Sequence, residues 1–257
     1  MSPARNTLSI RFNFDSKLDV VKEINDSLLS QGLISIPASA AHLPLALSTG
    51  EGPSDEEVDE VAARICAELE RIASSTEPFE LAFSGIGCFY SSGGNRDWNV
   101  VFLSPKISTA VRSVQLACHT ALQATAMSSN VLVDPYSHPD VWNAHLTIAK
   151  GVPRDSFTEV VRQVNDWALD GPFFRPKAPI SRQKTGSFLA DVRYLGFKMN
   201  NYKGTGESKT WAFELRGPPG AALAPPSATA APPPSRIWGP CLCAALCVGV
   251  WYVARSR

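Results

Sequence analysis

Short runs of alternating apolar and polar residues recur along the first 216 residues, and helical patterns separate them. Alternation over residues 7–14 and 41–48 predicts two strands, because successive side chains of a strand point to opposite faces. A helical run ends at Gly32 between these strands, and a second helix follows Pro53. One face of the second helix is predicted to be apolar and buried: Val58, Val61, Ala62, Ile65, Leu69 and Ile72.

The remaining pattern repeats this arrangement. Two strands joined by a turn at "SGGNRD" come next, followed by a helix, a strand, a helix and two closing strands. The order is thus β-α-β-α-β-β and then α-β-α-β-β. The sequence predicts an α+β fold of two duplicated lobes, with antiparallel sheets around a central cleft.

The composition changes after Leu215. Residues 217–235 are rich in proline and alanine, which predicts an extended linker after a folded domain of residues 1–216. Within residues 236–257, the stretch 237–254 carries no charge and would span about 27 Å as a helix. We interpret it as a transmembrane helix that anchors the chain at its C-terminus, with the folded domain in the cytosol. Endoplasmic reticulum, outer mitochondrial and peroxisomal membranes all stay open.

Charge and cysteine content exclude several classes of function. Three arginines and no acids lie in residues 217–257, so the folded part carries a net charge of −3. Bulk charge therefore does not attract long nucleic acid, although a small phosphate ester can bind locally. The six cysteines show no zinc spacing and no disulfide framework, so they predict no metal site. The oligomeric state stays open.

Two of the four histidines open similar short strands about a hundred residues apart. They are His42 in "HLPLAL" and His145 in "HLTIAK". Alternation places Thr147 and Ala149 on the face of His145. Two imidazoles facing each other across a cleft suit acid–base attack on a phosphodiester, one taking a proton and the other giving one. The hydroxyl of Thr147 would donate to a phosphoryl oxygen.

These paired motifs resemble the 2H phosphoesterases, the LigT-like group that includes 2′-5′ RNA ligase-type and cyclic phosphodiesterase proteins. The resemblance covers residues 7–216 and rests on the His-x-Thr motif at His145 and its counterpart at His42. It implies a phosphodiesterase without a cofactor, with His42, His145 and Thr147 as catalytic residues. The implied substrates are nucleotides or short RNAs: 2′,3′-cyclic phosphates, 2′-5′ linkages or RNA 3′ ends.

The first motif departs from the family pattern at Pro44, where a threonine or serine is expected. Proline offers a phosphate neither a hydroxyl nor an N–H, and it is restricted to an edge or irregular strand position. Ser48 shares the predicted face but lies about 20 Å along the strand. Losing one donor can cost roughly 10²–10³ in rate. The alternative is therefore a weakened or inactive nucleotide-binding module.

Five further residues are candidates for substrate binding. Arg96, Lys150 and Tyr202 are candidate phosphate or base contacts, and the rings of Tyr136 and Trp142 could stack on a base. His119 is interpreted as a surface or packing residue of a helix, and His138 as a loop residue that could also border the cleft and stack on a base. The sequence leaves open which of the paired histidines is the acid and which is the base.

Overall fold

A computed structural model describes residues 7–14, 19–37, 42–49, 52–89, 99–129, 131–169 and 188–218. Nearly all of the predicted linker, the whole predicted anchor and Arg96 lie outside these ranges. Within the described ranges, no helix is both long enough and apolar enough to cross a membrane.

The order of helices and strands agrees with the order predicted from the pattern. The seven strands and four helices are β1 (Thr7–Phe14), α1 (Asp19–Ser30), β2 (His42–Leu47), α2 (Val58–Ser74), β3 (Phe79–Phe89), β4 (Asn99–Pro105), α3 (Thr109–Ala126), β5 (Leu146–Val152), α4 (Phe157–Leu169), β6 (Phe188–Asn200) and β7 (Lys209–Glu214).

Local signals account for the helix boundaries. Gly32 takes a left-handed φ of 70° just after α1, and the N–H of Leu33 closes the end by donating to Leu28 O at 3.0 Å. Ser108 caps α3 by accepting a hydrogen bond from the N–H of Val111 at 3.3 Å. All six apolar residues predicted for one face of α2 are buried, which confirms that face.

The strands form one antiparallel sheet of seven strands rather than separate sheets for two lobes. The strand order is β2-β1-β6-β3-β4-β5, and β7 also pairs with β6. Each half of the sheet combines strands from both halves of the sequence. In one half, β6 lies beside β1 and β2, and in the other, β3 and β4 lie beside β5. The strands that carry the paired histidines occupy the two ends of this order.

The two end strands nevertheless contact each other. Chain segments beside them connect the halves: Asp134 N–H donates to Leu47 O at 2.9 Å, and Ser35 N–H donates to Gly151 O at 3.2 Å. The amide of Asn25 on α1 donates to Ile148 O of β5 at 3.0 Å. The sheet is therefore curved so that β2 and β5 meet.

One face of the sheet is buried and the other is half-open. On β1, Leu8, Ile10 and Phe12 are at most 1% exposed. The alternate residues Thr7, Ser9, Arg11 and Asn13 are half-buried. The half-open face thus carries the polar side chains.

Candidate functional site

His42 begins β2 on the half-open face of the sheet. It lies directly opposite Asn13 of β1, which lies opposite Tyr194 of β6. Directly paired residues share a face, so the three side chains form one polar row across three strands. Leu43, which follows His42, is fully buried and fixes the orientation of the strand.

Pro44 occupies the kind of position that its chemistry requires. It lies on the end strand of the sheet order, and the register between β1 and β2 shifts beside it. Arg11 pairs with Pro44 and Ile10 pairs with Ala46, so Leu45 is an extra residue in the strand. The predicted edge or irregular position is confirmed. The shift also buries Ala46, which simple alternation from His42 would put on the same face as His42.

His145 lies immediately before β5 rather than within it. Its ring nitrogen Nδ1 is 2.8 Å from the carbonyl oxygen of Asn143. A carbonyl oxygen can only accept, so Nδ1 carries the proton of the neutral ring. Nε2 then holds a lone pair and can accept a proton.

Two phenylalanine rings flank His145. The ring centroid of Phe89 is 5.0 Å from that of His145, and the centroid of Phe102 is 5.3 Å away. Gly87 makes this arrangement possible, since a Cβ there would lie 2.3 Å from the ring of Phe102. The aromatic contacts orient the imidazole and exclude water from one side of it.

The pKa of His145 lies below its ordinary value. Burial is the main cause, and the positive charge of Lys150 acts in the same direction. The hydrogen bond to Asn143 opposes both effects and is the smaller influence compared with burial. His145 is therefore neutral at pH 7.

Irregular pairing in β5 places Lys150 on the face of His145. Thr147 pairs with Phe102 and Ala149 pairs with Val101, so Ile148 is an extra residue. Ile148 and Ala149 are both buried, whereas Thr147 and Lys150 are half-buried like His145. Simple alternation predicted that Ala149 shares the face of His145, and this is wrong because Ala149 is buried. Lys150 lies on that face instead.

Trp142 connects the two histidine segments. Its indole N–H donates to the carbonyl oxygen of Pro44 at 3.0 Å, and its half-buried ring packs against the core. Trp142 thus makes a structural contact, and stacking of its ring on a base stays a prediction. Tyr136 lies on a 3₁₀ turn, Pro135–Ser137, and is 65% exposed, so its ring is accessible.

The structure does not bring Tyr202 to the histidines. It follows β6, whose last residue, Asn200, pairs with Thr7, whereas His42 pairs with Asn13 at the other end of β1. Six residues along a strand separate these ends by about 20 Å. The hydroxyl of Tyr202 donates to Asp59 on α2. The structure thus places Tyr202 away from the two histidines, and a contact with substrate stays a prediction.

The sequence reasoning missed four residues around the histidines. Asn143, Phe89 and Phe102 contact His145, and Arg11 lies opposite Pro44. Pairing across strands brings Phe102 and Arg11 into place, and no local motif marks them. The sequence did offer a signal for Asn143, because Asn143 lies only two residues before the motif histidine, His145.

His119 is a buried packing residue rather than a surface residue. It is 4% exposed, and neither ring nitrogen has a hydrogen-bond partner among the residues that the structure describes. Its ring centroid lies 5.4 Å from that of the exposed His138. Among the described residues, no three His, Cys, Asp or Glu side chains are grouped as a metal site.

Comparison with protein families identifies the group to which the chain belongs. A family model described as the 2′-5′ RNA ligase superfamily matches residues 20–175, which is more than half of the 257 residues. The chain belongs to the 2′-5′ RNA ligase superfamily. Membership in this LigT-like 2H phosphoesterase group confirms the resemblance that the paired motifs indicate. The match includes His42, His145 and Thr147.

No curated protein matches this 2′-5′ RNA ligase superfamily member. Three solved structures are similar to this chain. A Thermus thermophilus protein has 19% sequence identity and a TM-score of 0.45, and LigT of E. coli, complexed with phosphate, has 13% identity and a TM-score of 0.42. Usb1 of Kluyveromyces marxianus, in a structure with uridine monophosphate, has 14% identity and a TM-score of 0.41. Each comparison covers 82% of this chain and at least 98% of the other.

Proposed function

We propose that the protein is a phosphodiesterase that uses two histidines for acid–base catalysis. Its substrates are nucleotides or short RNAs, and the bond that it cleaves belongs to a 2′,3′-cyclic phosphate, a 2′-5′ linkage or the 3′ end of an RNA. The observation that carries this proposal is the state of His145, a neutral imidazole held by Asn143 on the face of Thr147 and Lys150.

His145 is suited to act as the general base. Its Nε2 holds the lone pair, and the lowered pKa keeps the ring unprotonated at pH 7. It takes a proton from water or from a ribose hydroxyl, and the resulting oxygen nucleophile attacks phosphorus. His42 then acts as the general acid and gives a proton to the leaving oxygen.

Thr147 and Lys150 support the negative charge that develops on the phosphoryl oxygens. Both are half-buried on the face of His145. The hydroxyl donates a hydrogen bond, and the ammonium group supplies a positive charge. Neither role requires a proton to leave these side chains.

A nucleotide-binding module without turnover is the second candidate. Pro44 favours it, because the first motif lacks the hydroxyl that the second motif has in Thr147. Such a protein would bind the same ligands and release them unchanged.

Turnover by the full chain distinguishes the two candidates. The protein would be incubated with EDTA and with 2′,3′-cyclic nucleotides, 2′-5′ oligoadenylate or short 3′-5′ RNAs. We expect turnover that His145→Ala and His42→Ala each abolish. His138→Ala is the matched control, since it removes an exposed histidine that belongs to neither paired motif. Turnover that survives His42→Ala combined with His145→Ala would refute two-histidine catalysis, and binding without turnover would favour the module.

We further propose that residues 236–257 anchor the protein in a membrane, with the enzyme in the cytosol. The uncharged stretch 237–254 with aromatic residues near both ends supports this. After fractionation of cells that express the full chain, carbonate at high pH should leave it in the membrane pellet. The chain without residues 236–257 should appear in the supernatant. Extraction of the full chain by carbonate would contradict the anchor.

A further inference from the structure

The half-open face carries a cation opposite Pro44 that the catalytic roles above do not use. Arg11 lies on β1 and pairs directly with Pro44 of β2 on one side and with Gly196 of β6 on the other. Paired residues share a face, so the side chain of Arg11 emerges beside Pro44. His42 is the diagonal neighbour, about 7–8 Å away between Cα atoms.

The other end of the sheet repeats this arrangement with different chemistry. There, Thr147 of β5 pairs with Phe102 of β4, which pairs with Gly87 of β3. The row Thr147–Phe102–Gly87 thus corresponds to the row Pro44–Arg11–Gly196. Where the motif has a hydroxyl, its neighbour is an apolar ring. Where the motif has proline, its neighbour is a guanidinium group.

The environment of Arg11 leaves part of its guanidinium without a partner. Nε is inaccessible to solvent and has no hydrogen-bond partner among the described residues. Burial lowers the pKa of Arg11, and no carboxylate in the described part of the chain contributes to offset this. The ordinary pKa is so high that the side chain stays charged at neutral pH. A half-buried cation without an anion is costly, and an anionic ligand would remove that cost.

We propose that Arg11 binds a phosphoryl oxygen of the substrate and replaces the hydroxyl that Pro44 cannot supply. The inference rests on the proposed function for the identity of the substrate, a phosphate ester. Guanidinium presents several N–H donors in one plane and matches phosphate geometry. Arg11 from the first motif and Lys150 from the second then supply one positive charge each.

The first test measures binding of inorganic phosphate to the full chain. Imidazole resonances of histidines labelled with ¹⁵N report binding, and only four histidines are present. We expect phosphate to shift His42 and His145, with roughly 10- to 100-fold weaker binding in Arg11→Met, since a charge-assisted hydrogen bond is lost. Arg11→Lys should retain part of the affinity. Arg112→Met, which removes a cation exposed on α3, should bind like wild type.

Folding does not confound this comparison. Methionine keeps the apolar stem of Arg11 and removes a desolvated charge, so Arg11→Met should be at least as stable as wild type. Pro44→Thr provides a second test, because it restores the missing hydroxyl. It should recover part of the phosphate affinity in Arg11→Met and add less in wild type.

The outcomes separate this inference from the proposed function. Arg11-dependent phosphate binding without turnover of any substrate would refute the phosphodiesterase and support the inference. Turnover with unchanged phosphate affinity in a folded Arg11→Met protein would overturn the inference and leave the enzyme intact. Absence of phosphate binding by wild type at millimolar concentrations would also overturn the inference.

Discussion

The indole N–H of Trp142 donates a hydrogen bond to the carbonyl oxygen of Pro44 over 3.0 Å. Trp142 lies three residues before His145, and Pro44 lies two residues after His42. The bond therefore links the two motifs where the end strands β2 and β5 meet. Because Pro44 belongs to an end strand, its carbonyl is available to a side chain from outside the sheet.

Trp142→Phe should weaken this connection and keep the ring. Loss of one hydrogen bond is expected to lower the free energy of unfolding by about 1 kcal/mol. The value of kcat/KM should fall by more than the loss of folded protein explains, because the two histidines lose their fixed separation. Urea unfolding and kcat/KM measure the two effects.

Trp211→Phe is the matched control for Trp142→Phe. The ring of Trp211 stacks on Phe197 at a centroid distance of 4.9 Å, in the strand next to the Tyr202 turn. The Trp211→Phe substitution should leave kcat/KM unchanged. Equal losses of activity in both variants would show that the bond to Pro44 does not position the site.

Gly87→Ala tests the aromatic contacts around His145. The added Cβ would lie 2.3 Å from the ring of Phe102, so the ring must move away from the imidazole. We expect a loss of about 1–3 kcal/mol in stability and a lower kcat. Gly85→Ala in the same strand is the control, since its Cβ meets only Ser104 Cβ at 4.0 Å. Similar effects of both substitutions would contradict a specific role for Gly87.

The sequence predicts the elements of this fold well, because the signals are local. The apolar repeat of α2 and the glycine after α1 depend only on neighbouring residues and are confirmed. Pro44 likewise indicates an irregular end strand, because proline lacks the N–H that an interior strand requires.

Pairing between distant strands is not visible in the local pattern. The extra residues Leu45 and Ile148 change which side chains share a face, and this exchanges Ala149 for Lys150 beside His145. Arg11 reads as an ordinary polar residue of a strand until the register places it opposite Pro44. For the same reason, the sequence does not show that the turn after β6, which carries Tyr202, lies beside Thr7, at the opposite end of β1 from Asn13.

The protonation of His145 should depend on Lys150. The pKa of His145 is lowered by burial and by the positive charge of Lys150. In the free protein, the imidazole should titrate below the ordinary value of 6.5, and Lys150→Met should raise its midpoint. Titration followed by NMR measures this directly. Lys198→Met, on another strand of the sheet, should leave the midpoint unchanged, and equal midpoints in wild type and Lys150→Met would contradict the charge effect.

Stability should fall in mild acid because of His119. Burial lowers its pKa, and His138 lowers it further, so the folded protein holds the ring neutral. Below the ordinary pKa of 6.5, the unfolded chain binds a proton that the folded protein does not. The free energy of unfolding therefore decreases as the pH falls below that value, until the folded pKa is reached. The carboxylate of Asp140 lies beside these two histidines, with Oδ2 3.6 Å from Nδ1 of His138.

His119→Leu isolates this contribution. Leucine removes the two ring nitrogens that lack partners, so the variant should be at least as stable as wild type near pH 7. Its stability should also change less between about pH 7.5 and about pH 5.5, because one proton uptake by the unfolded chain is lost. Urea midpoints at both pH values measure the difference, with Leu116→Ala on the exposed side of the same helix as a control. An equal pH dependence in wild type and His119→Leu would assign the acid sensitivity to other groups, with His145 the first to examine.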